Sequence, residues 1–155
     1  MSVESNLAAQ GITLPEAAAP VANYVPAVIT GSLLYISGQL CLDQGAVQSA
    51  HKGKLGAGVS IEQGQAAARL CAINLLAQAK AALGDLNRIK RCVRLGGFIN
   101  STPDFNPLPQ VMNGASDLMV LALGDAGRHT RTTIGVAQLP MDAAVEVEAL
   151  FEISL

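Results

Sequence analysis

The stretch from Ser60 to Gly84 limits the folds open to this chain more than any other segment. Ser60-Ile61-Glu62-Gln63 sets a serine at a helix start and a glutamine three residues later, so that each side chain accepts the other residue's backbone N–H. Behind it Ala68, Cys71, Ala72, Leu75, Ala79 and Ala82 recur at helical spacing, with Gln65, Arg69, Gln78 and Lys80 elsewhere around the wheel, and Gly84 supplies the stop. On both sides the period changes to that of strands. Val28-Ile29-Thr30 and Leu33-Leu34-Tyr35-Ile36 flank Gly31-Ser32 and read as a hairpin with a tight turn. From Ile89 to Ile99, Val93, Leu95, Gly97 and Ile99 alternate with Cys92, Arg94, Gly96 and Phe98, a strand reached by way of a crossover helix. The pair Gly96-Gly97 marks a bulge or a close backbone approach.

A second helix follows the turn-forming run Thr102-Pro103-Asp104-Phe105-Asn106-Pro107. Its apolar face is Val111, Ala115, Leu118, Met119 and Ala122, and Gly124 ends it. Two β-runs close the chain, one opening at Arg131 and the other running from Ala144 to about Ile153. The segment Asp43 to Gly58 reads as a loop in which Ala46-Val47 adds a short strand. Residues 1–22 carry two prolines and no clean period, which predicts an N-terminal arm or a short irregular start. The order of elements predicts one α+β domain over residues 1–155, with helices layered on one face of a sheet.

Composition removes several classes of function. Only 14% of residues are charged and half are hydrophobic, which leaves apolar surface to bury against other subunits and predicts an oligomer. With a net charge of -2, no tryptophan and five other aromatic residues, the chain lacks the basic footprint and the stacking platforms of a nucleic-acid binder. No apolar run approaches the roughly 20 residues that cross a bilayer, and Met1-Ser2-Val3-Glu4-Ser5-Asn6 lacks a basic leader start, so a cytoplasmic home is expected. Cys41, Cys71 and Cys92 are odd in number and scattered, which fits buried thiols better than a disulfide framework or a zinc motif.

The candidate chemistry lies near the C-terminus. Arg131-Thr132-Thr133-Ile134-Gly135-Val136-Ala137-Gln138-Leu139-Pro140 is followed, after the turn Pro140-Met141-Asp142, by Val145-Glu146-Val147-Glu148-Ala149. One obligate cation and two alternating carboxylates thus stand on neighbouring β-runs. A guanidinium grips a planar carboxylate bidentately and a nearby carboxylate orients water or carries a proton, so the segment suits a small organic acid. Set against this, Glu146 and Glu148 also fit the wet face of a half-buried strand, and Arg131 a solvated edge cation. His129 reads as an ordinary surface residue beside Arg128 and Arg131. His51, next to Lys52 in a polar loop, carries no role, and Asn74 reads as a hydrogen-bonded interior amide.

Taken together, Asn23-Tyr24-Val25, Ile36-Ser37-Gly38-Gln39, Asn113-Gly114-Ala115, the Arg131 run with Leu139-Pro140, and Val145 to Ala149 resemble the RidA/YjgF family, also named for L-PSP endoribonucleases. The resemblance implies a chorismate-mutase-like fold (bacillar type), a mixed sheet of about six strands packed on two helices, assembled as a homotrimer with pockets at subunit interfaces. It implies hydrolysis of reactive enamines and imines such as 2-aminoacrylate to 2-oxo acids and ammonia, without metal or cofactor. By the same resemblance Arg131 grips the substrate carboxylate and Glu146 positions the attacking water. Tyr24, Ser37, Asn113 and the backbone of Thr133 match substrate-pocket positions.

The chain departs from the small family members in its longer start, in the Gly45-to-Gly58 and Asn106-to-Gln110 regions, and in Gly127-Arg128-His129-Thr130 before Arg131. These place it closer to a longer branch. Two other readings follow from the same residues: a non-catalytic sensor or scavenger of 2-oxo and imino acids, and, ranked last, the ribonuclease of the family's inherited name. Only His51 and His129 could serve there as neutral-pH acid and base, in a weakly acidic chain.

Overall fold

The computed structural model describes all 155 residues. In chain order the elements are α1 (Val3–Ala8), β1 (Ala27–Thr30), β2 (Leu33–Leu40), β3 (Leu42–Asp43), β4 (Ala46–Val47), β5 (Lys54–Leu55), β6 (Gly58–Val59), α2 (Ile61–Leu83), β7 (Ile89–Asn100), α3 (Leu108–Leu123), β8 (Thr130–Val136) and β9 (Val145–Ile153). The main sheet has five strands in the order β1-β2-β9-β7-β8, not six, and only the β7–β8 pair is parallel. The missing strand has a local cause. Residues 42–59 form two separate two-stranded ribbons, β3–β4 and β5–β6, each too short to extend the sheet.

The helix start at Ser60 forms as its sequence dictates. Ser60 Oγ accepts the Gln63 N–H at 3.1 Å, Gln63 Oε1 accepts the Ser60 N–H at 2.9 Å, and Gly84 ends the helix at φ 77°. Ser60→Ala is expected to lower stability by about 1 kcal/mol, read as a reduced midpoint in thermal unfolding. α2 is buried more completely than its wheel implies. Gln78, placed by periodicity off the apolar face, is 3% exposed because its amide donates to Ala18 O at 2.7 Å and so fastens the N-terminal stretch, whereas Ala82 is exposed. Within that stretch the expected irregular start contains α1, capped by Ser2 and docked through buried Val3 and Leu7, with Asn6 donating to Ala122 O at 3.0 Å.

Both long helices lie on one face of the sheet. Val145, Val147, Phe151 and Ile153 of β9, Leu95 and Ile99 of β7, and Leu34 and Ile36 of β2 point to that face and are buried under α2 and α3. Each fully buried leucine, isoleucine or phenylalanine contributes about 1.5–3 kcal/mol over exposure. The Gly96-Gly97 pair is a close approach and not a bulge: the register shifts of β7 fall earlier, between Ile89 and Arg94, and a Cβ on Gly97 would lie 2.5 Å from Met112 Sδ. Gly114 does the same for the two helices, since its Cβ would lie 2.1 Å from Gln65 O. All three cysteines are free and buried, and the Asn74 amide donates to Leu40 O and Leu42 O, both at 3.0 Å. No helix is long and apolar enough to cross a membrane.

The opposite face of the sheet has no helix over it. Val28 and Tyr35 are 50% and 47% exposed there, and Ile134 of the edge strand β8 is 45% exposed. At one end of the sheet the fully buried Asn100 ties several loops together. Its amide donates to Gln138 Oε1 at 2.9 Å, Ala143 O at 3.1 Å and Asp142 Oδ1 at 3.2 Å, and its carbonyl accepts from Lys54 Nζ at 2.6 Å. These bonds hold a strained turn, for Met141 and Asp142 both take positive φ, 58° and 55°.

Candidate functional site

Arg131 and Glu146 do not meet within the chain. Although only the Pro140–Asp142 turn separates β8 from β9 in sequence, β7 lies between them in the sheet, so no hairpin forms. Arg131 is in register with Leu95, whose side chain points to the helix face, whereas Glu146 is in register with Phe98 on the other face. Two strand spacings and three residues of offset put their Cα atoms roughly 14 Å apart, with the sheet between the side chains. Within one chain, then, the cation and the carboxylate stand on opposite faces of the sheet.

Arg131 lies over the groove between β8 and α3. β8 is an edge strand, and Arg131 is exposed on it. Its Nη1 donates to Asn113 Oδ1 at 2.9 Å and to Ser116 Oγ at 3.2 Å, one helical turn apart on α3. Both hydrogens of Nη1 are thereby used, and the Nε and Nη2 side of the guanidinium is the side that fits a carboxylate fork. Asn113 is held in place because Gly114 seats α3 tightly on α2. Thr133, two residues along the same face of β8, is half-buried and its hydroxyl has no hydrogen-bond partner.

Sequence reasoning missed Ser116, and it misplaced His129. His129 is half-buried, with Nε2 2.9 Å from Ser116 Oγ and Nδ1 2.6 Å from Gly127 O. The available signal was the spacing of Asn113 and Ser116, three apart on a helix and hence on one face.

The surroundings of Glu146 are built on a bulge in β2. Ile36 pairs with Ala149 and Gln39 with Val147, so Ser37 and Gly38 together oppose Glu148. Gly38 is the wall of Glu146: a Cβ there would lie 3.0 Å from both Cδ and Oε2 of that side chain. Burial pushes the Glu146 carboxyl above its ordinary pKa, and the charge of Glu148 adds to the shift. Glu148 itself pairs with Arg94 at 3.1 Å. Two cavities meet at Gly38. One of about 240 Å³ is lined by Val25, Tyr35, Ser37 and Glu148, and the other, about 350 Å³, by Tyr24, Pro26, Gln39 and Met141. The Ser37 hydroxyl donates to Val25 O at 2.9 Å, so it also ties the incoming chain to β2.

Ser37 and Glu146 thus lie around the β2 bulge, with Tyr24 lining a cavity that reaches Gly38, while Arg131, Asn113 and Thr133 lie together along β8 and α3. A third cavity, about 400 Å³ between α1 and the end of α2, is lined by Glu4, Leu7, Ile12 and Lys80 and contains none of these residues. No three His, Cys, Asp or Glu side chains cluster as a metal site would require.

Comparison with known proteins places this arrangement in a family. Residues 4–153 match the family described as "YjgF/chorismate mutase-like, putative endoribonuclease". Protein TCP17 of Trypanosoma cruzi is 50% identical over 153 residues, 98% of this chain and 94% of that protein. The crystal structure of Atu1372 from Agrobacterium tumefaciens, a protein of unknown function, superposes with a TM-score of 0.91 at 48% identity, covering 98% of this chain and 92% of that one. Escherichia coli TdcF, solved with bound serine, shares the fold at a TM-score of 0.65 and 24% identity, over 90% of this chain and 94% of its own. The chain belongs to the YjgF/RidA family.

Proposed function

We propose that the chain is the subunit of a homotrimeric deaminase that hydrolyses reactive enamine and imine acids of the 2-aminoacrylate type to 2-oxo acids and ammonia. Each site is assembled from Arg131 of one subunit and Glu146 of its neighbour. The observation that carries this reading is the placement of the two residues on opposite faces of one sheet, each in a prepared surrounding. The helix-free face, with exposed Val28, Tyr35 and Ile134, supports assembly, because apolar surface of that kind is normally covered.

The chemistry asks for little more than these groups. The enamine first tautomerises to the α-imino acid, whose carboxylate sits on the Nε and Nη2 edge of Arg131. Water then adds to the imine carbon: its oxygen forms the new C–O bond, the C=N π electrons move to nitrogen, and Glu146 takes the water proton and passes it to that nitrogen. In the collapse Glu146 takes the carbinolamine hydroxyl proton and delivers it to the nitrogen as the O–H electrons form C=O and the C–N bond breaks, so that ammonia leaves. A carboxyl whose pKa is raised by burial is suited to both halves of this shuttle. Tyr24 and Ser37 border the cavities that meet at Gly38, the residue against which the Glu146 side chain lies.

The test is to generate an imino acid in place with a flavin amino-acid oxidase and follow ammonia release with and without the chain. Acceleration over spontaneous hydrolysis is expected. No acceleration by a protein that binds 2-oxo acids would overturn the deaminase reading in favour of a sensor or scavenger.

A further inference from the structure

We propose that His129, acting through Ser116, is a positioning residue for the Arg131 guanidinium; the inference rests on the carboxylate-binding role assigned to Arg131 above. For a neutral His129 imidazole the direction of each hydrogen bond in the chain of contacts follows from its partners. Gly127 O only accepts, so the His129 Nδ1 that lies 2.6 Å from it carries the proton. In that neutral tautomer Nε2 can only accept, so the Ser116 hydroxyl 2.9 Å away is the donor of the pair. With its proton committed to the imidazole, Ser116 Oγ presents lone pairs to Arg131 Nη1 at 3.2 Å. Asn113 Oδ1 takes the other Nη1 hydrogen at 2.9 Å. The guanidinium is thus held at one corner by two acceptors, and its remaining edge has a fixed orientation.

Without His129 this arrangement has no reason to persist. A helical serine with a free hydroxyl turns it back to the carbonyl four residues earlier, here that of Met112, and its lone pairs turn with it. Arg131 stands on an exposed edge strand and has no ion pair of its own to replace the lost contact. Its long side chain would then sample several rotamers, and a bound carboxylate would have to order it. The segment Gly127 to Thr130 therefore acts on the anion-binding residue that follows it.

Calorimetric titration of the whole protein with pyruvate, and with pyruvamide as a neutral isostere, tests this. Ser116→Ala and His129→Ala are each expected to weaken pyruvate binding about 5-fold while leaving pyruvamide within about 2-fold. The double variant should be no weaker than either single one, because both break the same path, and Ser116→Thr should restore the affinity. Ser116→Ala, which removes only a hydroxyl, carries the test if His129→Ala does not fold. Unchanged pyruvate affinity, equal losses for both ligands, or additive losses in the double variant would each overturn the proposal. If the wild-type protein binds no pyruvate, the anion-binding reading fails and this inference with it. If the wild type binds, Arg131→Ala does not, and Ser116→Ala and His129→Ala both bind fully, this inference alone fails.

Discussion

Arg131→Ala is expected to lower kcat/KM for imino-acid hydrolysis by about 100-fold or more, the loss of roughly 3 kcal/mol from a charge-assisted bidentate contact. Because Arg131 is exposed and bonded only to Asn113 and Ser116, the fold should survive, with thermal stability changed by about 0.5 kcal/mol or less. Steady-state kinetics with ammonia detection reads the first effect and calorimetric melting the second. Mixing gives a sharper result. If Arg131 and Glu146 serve a site from different subunits, an assembly containing both Arg131→Ala and Glu146→Gln subunits contains some interfaces where the two native residues meet. Random assortment of equal amounts restores about a quarter of the sites in a head-to-tail ring. Co-refolding the two inactive variants and finding no recovered activity would show that the site does not combine the two faces.

Glu146→Gln carries the second large effect. Removing the proton carrier while keeping its size is expected to cost about 10²–10⁴ in kcat, with pyruvate affinity nearly unchanged because Arg131 is intact. Stability should move the other way as pH rises. The folded pKa of Glu146 lies above its value in the unfolded chain, first through burial and second through Glu148. Between those two values the native state binds more protons than the unfolded state, so the wild type loses stability as pH rises through the folded pKa. The glutamine variant lacks that slope. Melting curves recorded from pH 4 upward should therefore show Glu146→Gln gaining on the wild type, and a variant that falls behind at neutral pH would contradict the assignment of a desolvated carboxylate. Function at the cost of stability is common at such positions.

Local signals carried the elements that sequence reading placed well. Ser60 and Gln63 cap α2, Gly31-Ser32 turns the first hairpin, and Gly84 and Gly124 stop the two long helices. Each depends on residues a few positions apart. The order of strands depends on pairings that local periodicity does not encode. β9 inserts between β2 and β7, and β8 runs parallel to β7 across a helical crossover, so the spacing between Arg131 and Glu146 along the chain says nothing of their faces. The alternation of β9 correctly separated Val145, Val147 and Phe151 from Glu146 and Glu148, because strand period alone decides that. The contacts of Ser116 were hidden for another reason. Its partners, His129 and Arg131, lie 13 and 15 positions away on the loop and strand that follow α3.

The free margin of β8 has a meaning for the newly made chain. An edge strand of seven residues, exposed along most of its length, offers its unpaired backbone to any extended segment that reaches it. It is also completed late in synthesis, and its only neighbour is β7, since β9 pairs elsewhere. A polypeptide at this stage faces competition between completing its own sheet and uncontrolled β-pairing with other nascent chains. High chain concentration favours the second outcome, so recovery of folded protein from denaturant should fall as the chain concentration rises.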